Sequence, residues 1–446
     1  MHKPIIIVGA GLCGTLLAIR LAQRGHTVDL YERRPDMRRS EWAEGRSINL
    51  ALSARGLLAL ERIGLRDRIL ENCIPMRGRM IHPLGGDRFL SPYSGRTEDY
   101  INSVSRSGLN ELLLDEADAT EGLRIHFEHK CIGVDLERAE ATFRLADGSH
   151  WKVEGELVIG TDGAGSAVRR AMMGRTTDLR FNYEQHFLQH GYKELSIHPA
   201  ENGGWRIEKN ALHIWPRGEF MIIALPNLDG SFTLTMFHPF GGEWGFDSLD
   251  SRERVQSFFE HFYPTLLPHI PHYLDEFFEN PVGTLGTIRC SPWQAYGRTL
   301  IMGDAAHAIV PFYGQGMNAS FEDVRVFDDL LKEHSGDDWQ PLLKQFQQQR
   351  IPNADAIAEL AIDNFHEMQD KTADPVFQRK RKLEMQLEQK FSDYYSKYSL
   401  VTFRPELGYA EALLRGRAQD ERLLKLVATD PDVSPERALE MLREAR

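Results

Sequence analysis

The chain has 446 residues, of which 42% are apolar and 26% charged, with a formal net charge of −12. That is ordinary composition for two or three globular domains whose core can enclose a large ligand. The acidic balance argues against nucleic acid as a general partner, because neutralising phosphates needs a basic surface. Cys13, Cys73, Cys131 and Cys290 lack ligand or CxxC spacing, so reduced thiols and no metal site are expected. No run of about 18 uninterrupted apolar residues occurs, so a cytoplasmic protein without a membrane anchor is expected.

Ile5-Ile6-Ile7-Val8 is wholly apolar, as buried parallel strands are. Glycines follow at once, then a helix over Thr15 to Arg24 that Gly25 ends, then a strand over Thr27 to Glu32. This is a βαβ opening. Helices are predicted over Ser53 to Ile63 and over Ser107 to Thr120, the second N-capped by Ser107. Residues 123–160 alternate and end in a buried strand, Leu157 to Gly160. From Phe181 to Pro239, runs such as Ala211 to Trp215 and Phe220 to Leu225 are separated by Gly203-Gly204 and Asp229-Gly230, which predicts an antiparallel sheet. Arg252 to Phe278 is mostly helical in pattern. Thr299 to Met302 returns to the buried-strand pattern, and the chain after about Asn318 is predicted helical.

Gly9-Ala10-Gly11-Leu12-Cys13-Gly14 lies between the first strand and the first helix. The first glycine permits the tight turn, the second lets backbone approach a pyrophosphate, and the third lets helix pack on strand. The helix N-terminus then faces the phosphates. Glu32 ends the second strand, where a carboxylate accepts from ribose hydroxyls. That acid suits FAD or NAD better than NADP. Two more motifs follow buried strands: Gly160-Thr161-Asp162-Gly163, and Gly303-Asp304-Ala305-Ala306-His307 leading to Pro311-Phe312-Tyr313-Gly314-Gln315-Gly316-Met317-Asn318. His307 is expected to be a structural histidine.

Together the three motifs resemble the FAD-dependent aromatic hydroxylases of the para-hydroxybenzoate hydroxylase type. The resemblance implies an α/β fold: a Rossmann-like FAD-binding domain, an inserted and mainly antiparallel β-sheet domain for substrate, and a C-terminal helical region. The expected division is 1–75, 100–178 and 285–340 for FAD, 76–99 and 179–284 for substrate, and 341–446 for the helical region. It also implies tightly bound, non-covalent FAD held by Gly9, Gly11, Leu12, Gly14, Glu32, Arg33, Ala51, Arg106 and Cys131. Asp304 would bond the ribityl or ribose part. Gly316, Met317 and Asn318 would begin a helix under the pyrimidine edge, where a helix N-terminus favours anionic reduced flavin. Asp162 would lie near the pyrophosphate and contribute to NADPH contact. No second GxGxxG occurs, so NADPH would bind only transiently.

Segments Ser47 to Ser53, Gly78 to His82, Leu212 to Arg217, Asn364 to Met368 and Tyr398 to Phe403 are similar to the branch of that family that hydroxylates L-kynurenine. The resemblance implies that Arg79, Tyr93, Asn364 and Tyr398 bind the amino-acid end of that substrate. Phe312 and Tyr313 would stand beside the reacting ring, and Asn364 and Glu367 would complete the polar network around it. The implied partners are L-kynurenine, NADPH and O2, and the implied route is a flavin C4a-hydroperoxide. Two alternatives stay open: a related hydroxylase of another aromatic acid or phenol, and a non-catalytic protein on the same fold.

Overall fold

In the computed structural model the described residues are 3–39, 49–334, 336, 338–367 and 374–444. Ser47, Ile48 and Met368 of the segments above lie outside them. Six strands form the first sheet in the order Gln294–Ala295, Thr299–Ile301, Leu157–Gly160, Ile5–Val8, Val28–Tyr31 and Leu123–His126. All pair in parallel except the first, which is antiparallel. The three central strands are buried at every residue, and all their side chains are apolar or small except Asp29, whose carboxylate accepts from Arg124. The sheet grows outward in both directions from Ile5–Val8, so the carboxyl end of that strand is a topological switch point, where such sheets bind ligands.

Gly9 follows that strand with φ +106, a conformation open to glycine. At Gly14 an added Cβ would lie 2.0 Å from the Gly9 carbonyl oxygen and 2.4 Å from Thr161 Oγ1. The helix Leu12–Gln23 therefore packs on its strand only because no side chain intervenes.

The second sheet has seven strands, ordered Gly283–Ser291, Asn182–Ile197, Phe232–Pro239, Phe220–Pro226, Leu212–Arg217, Gly78–Ile81 and Phe89–Pro92. Its pairs are antiparallel except Leu212–Arg217 beside Gly78–Ile81. Alternation divides its two faces. Phe220, Ile222 and Ala224 pack with Phe258, Phe259 and Tyr263. Met221 and Leu225, on the opposite face, pack with Phe312 and Tyr313. This sheet thus carries a core on one side and offers an apolar wall on the other.

The structure shifts some predicted elements. The helix after Ile101–Ser105 is Arg106–Ala119, and its N-cap is Ser105, whose Oγ accepts from Gly108 N. Ser107 already lies within the helix, because Ser105 is the last extended residue and a cap needs extended backbone. The predicted helical stretch 252–278 is two helices, Arg252–Phe262 and Tyr273–Glu279. Pro264, Pro268 and Pro271 lie between them and cannot donate helical hydrogen bonds. Residues 130–154 form a separate three-stranded antiparallel sheet. Among the described residues no helix is long and apolar enough to cross a membrane.

Beside the second sheet, His82 and His213 are both buried. His213 Nε2 lies 2.7 Å from the Glu208 carbonyl, so it carries the proton. Its Nδ1 then accepts from His82 Nε2 at 2.9 Å, an arrangement that needs the His213 ring neutral. Burial, reinforced by the neighbouring ring, lowers His82 from 6.5 to about 3; burial lowers His213 to about 4. Unfolding restores ordinary values, so this contribution is full above about pH 6.5 and falls as the pH drops below it. The urea midpoint should therefore drop between about pH 7.5 and about pH 5, and drop less in His82→Phe. Equal drops in both proteins would contradict the neutral pair. Separately, Gly14→Ala should purify with well under one flavin per chain; full flavin content would show that the close approach at Gly14 is dispensable.

Candidate active site

A cavity of about 670 Å³ opens at the switch point and runs to the apolar face of the second sheet. That size suits a small-molecule site. A separate cleft of about 590 Å³, between Asn227 and Glu276, contains none of the motif residues.

At one end Gly9, Gly11, Leu12, Glu32 and Arg33 line the cavity. Gly11 is the N-cap of Leu12–Gln23 and provides no side-chain cap, and no acid stands in the first turn. The first N–H groups are thus left for a ligand with phosphate chemistry. The Glu32 carboxylate accepts from Ala10 N and Arg34 N, both at 3.0 Å, which fixes it at the cavity edge. Asp162 lines the next stretch with Ala51, Arg106 and Cys131. It accepts from Ser166 Oγ at 2.5 Å and Ala167 N at 2.6 Å, while burial raises its carboxyl despite those bonds. Burial pushes the Cys131 thiol up to about 12, so it serves as neutral wall.

Asp304, Gly316 and Met317 line the middle. The helix Gly316–Glu333 also begins without a side-chain cap and has no acid in its first turn. Asn318 is buried and does not line the cavity. Its Oδ1 accepts from Ser53 N at 2.9 Å, and its Nδ2 donates to Ala51 O and Gly314 O at 2.8 and 2.9 Å. It therefore clamps the strand at Ala51 to the turn at Gly314. Gly14, likewise, packs behind the cavity.

One turn further along, Glu322 and Asp323 are buried side by side. Glu322 pairs with Arg55 at 2.8 Å and Arg350 at 2.9 Å. Asp323 pairs with Arg350 and His307, both at 2.6 Å, and accepts from Gly303 N at 2.9 Å. Burial would raise both carboxyls. Arg350 and Arg55 at Glu322, and His307 and Arg350 at Asp323, outweigh it and hold both below their ordinary values. His307 is thereby a structural partner, and it holds the Gly303–His307 turn that presents Asp304.

At the other end, Arg79, Phe312, Tyr313 and Tyr398 line the cavity, walled by Leu212, Met221, Ile223, Leu225, Thr235 and Phe237. The Arg79 guanidinium lies 4.6 Å from the Tyr398 ring centroid and 5.4 Å from that of Tyr93. Among the described residues no carboxylate forms an ion pair with it. Tyr398 stacks between Tyr93 and Tyr313, with centroids 5.4 and 5.5 Å away. Tyr93, Asn364 and Glu367 do not line the cavity. Tyr93 backs Tyr398. Asn364 Nδ2 donates to Phe312 O at 2.7 Å. Glu367 is paired with Lys397, which also meets Asp420 at 2.7 Å.

Lys397 and Arg55 are absent from the sequence expectations, and no local pattern marks either. Met221, Thr235 and Phe237 were accessible through strand alternation once the buried face was assigned.

The residues present fit FAD: two uncapped helix N-termini face one elongated cavity, and the glycines leave no room for side chains where backbone must come close. A family model described as FAD binding domain matches residues 2–224 and 248–361. A variant of 2-methyl-3-hydroxypyridine-5-carboxylic acid oxygenase shares the fold, with a TM-score of 0.67 at 20% identity, covering 89% of this chain and 99% of that one. Kynurenine 3-monooxygenase of Myxococcus xanthus is 46% identical over 98% of this chain and 94% of its own. That of Dictyostelium discoideum is 44% identical over 98% and 96%. The chain therefore belongs to the kynurenine 3-monooxygenase family of FAD-dependent monooxygenases.

Proposed function

We propose that this enzyme hydroxylates L-kynurenine to 3-hydroxy-L-kynurenine, using NADPH and O2. The observation that carries this reading is Arg79, a guanidinium with no carboxylate partner among the described residues, set among tyrosines at the far end of the cavity. An arginine fork matches a carboxylate in two parallel hydrogen bonds. A substrate with a carboxylate at one end and an aromatic ring at the other would lay its ring beside Phe312 and Tyr313.

Bound FAD, once reduced by NADPH, would supply the activated oxygen. The chain's own work is placement and exclusion. Arg79 and Tyr398 anchor the amino-acid end. Tyr93 and Asn364 act one layer back: Tyr93 supports the Tyr398 ring, and Asn364 holds the Phe312 carbonyl. Glu367 shapes the polar end through Lys397. Leu212, Ile223 and Leu225 keep water from the reacting centre. The ring amine already activates its ortho carbon, so no strong protein base is needed. His307 is committed to Asp323. In this reading residues 76–99 and 179–284 form the substrate side, and 341–446 close its polar end.

Arg79→Ala should raise the KM for L-kynurenine roughly thirty- to a hundred-and-fortyfold, as loss of about 2–3 kcal/mol of charged hydrogen bonding implies. Its flavin content should not change. An unaltered KM in flavin-loaded Arg79→Ala would remove Arg79 from the substrate site.

A further inference from the structure

Tyr398 belongs to the helix Lys397–Thr402, which is six residues long. A helix that short does not hold itself together, because nucleation is unfavourable and its last carbonyls lack partners within it. The missing partner comes from far away in sequence. Arg55, buried in the helix Ala54–Glu61, donates through Nε to Val401 O at 2.7 Å. One terminal nitrogen donates to Leu400 O at 3.4 Å and Arg404 O at 3.2 Å. The other donates to Glu322 at 2.8 Å. The guanidinium rests 4.0 Å from the Tyr409 ring centroid, and Tyr409 Oη bonds Gln315 Oε1 at 2.9 Å.

The helix that carries Arg55 is itself attached to the flavin side. Ser53, just before it, donates its N–H to Asn318, and Asn318 also holds Gly314. Glu322 stands on the same helix as Gly316 and Asn318. One arginine thus joins the helix that begins at the flavin to the helix that presents Tyr398. A planar fork with five donors can serve three carbonyls and a carboxylate together; an ammonium cannot.

We propose that Arg55 is a positioning residue that couples the two ends of the cavity, so that order around Gly314–Asn318 is transmitted to Tyr398. This rests on the reading that Tyr398 faces substrate, but only in its consequence for substrate binding; the coupling itself does not require it.

The test is hydrogen exchange of amides 397–403 in the wild type and in Arg55→Lys, each with flavin bound and with flavin removed. Lysine keeps the positive charge opposite Glu322 and so avoids an uncompensated buried acid. In the wild type, flavin should slow exchange in that segment about tenfold or more. In Arg55→Lys flavin should still bind, but that protection should largely vanish, and the KM for L-kynurenine should rise more than kcat falls. Exchange raised equally with and without flavin would reduce Arg55 to a structural brace and overturn the proposal. Should Arg55→Lys not fold, the wild-type pair decides: protection by flavin supports coupling, and its absence overturns it. A wild type that ignores L-kynurenine overturns the substrate reading alone, and the exchange result still decides this one.

Discussion

Two adjacent carboxylates, Glu322 and Asp323, sit inside the protein, and the arrangement around the cavity follows from how they are neutralised. An unpaired ion in such a place is untenable, so cations must reach it. The cations are Arg55 from the helix Ala54–Glu61 and Arg350 from Gln340–His366, and His307 from Asp304–His307 adds a hydrogen bond to Asp323. The third segment lines the cavity through Asp304, and the other two reach its walls through the Ser53 N–H to Asn318 and through Asn364 to the Phe312 carbonyl. Removing one partner of such a pair typically costs about 3–5 kcal/mol, a large part of the roughly 5–15 kcal/mol that holds a domain together. The pairs matter less as net stabilisation than as a fixed set of distances between pieces of chain far apart in sequence.

The second constraint is the pleat of the seven-stranded sheet. Because successive side chains point to opposite faces, one run, Phe220–Pro226, builds a core with its even positions and the cavity wall with its odd ones. The wall is therefore as rigid as the core behind it. This rigidity supports water exclusion, because a loop in the same place could open. The aromatic column Tyr93, Tyr398 and Tyr313 closes the polar end, with Arg79 set against its faces. Tyr313 thus links the Arg79 end of the cavity to the turn at Gly314 that leads into the helix Gly316–Glu333.

Much of this could be read in advance where the physics is local. The spacing of Gly9, Gly11 and Gly14 is imposed by a turn and a helix start within six residues, so it is visible in the letters. The same holds for the buried strands and for the turns at Gly203 and Gly230, both with positive φ. The cap at Ser105 was misplaced to Ser107 because two serines two positions apart both satisfy the pattern, and only the end of the strand selects between them. The broken helix in 252–278 carried its own warning in three prolines. Arg55 and Lys397 were beyond reach, since their partners stand up to 349 positions away and nothing local distinguishes a buried arginine from an exposed one. Tyr93, Asn364 and Glu367 were expected in the site and stand one layer behind its surface, because resemblance transfers residue identities and only geometry separates a lining residue from its support.

The proposed function requires one cavity to hold flavin at one end and an aromatic amino acid at the other. The most direct measurement follows NADPH oxidation by the flavin-loaded enzyme with and without L-kynurenine, while 3-hydroxykynurenine is assayed. L-Kynurenine should stimulate the oxidation, with hydroxylated product formed in near-equal amount. NADPH oxidation indifferent to L-kynurenine, with no product, would contradict the assignment of the Arg79 end of the cavity.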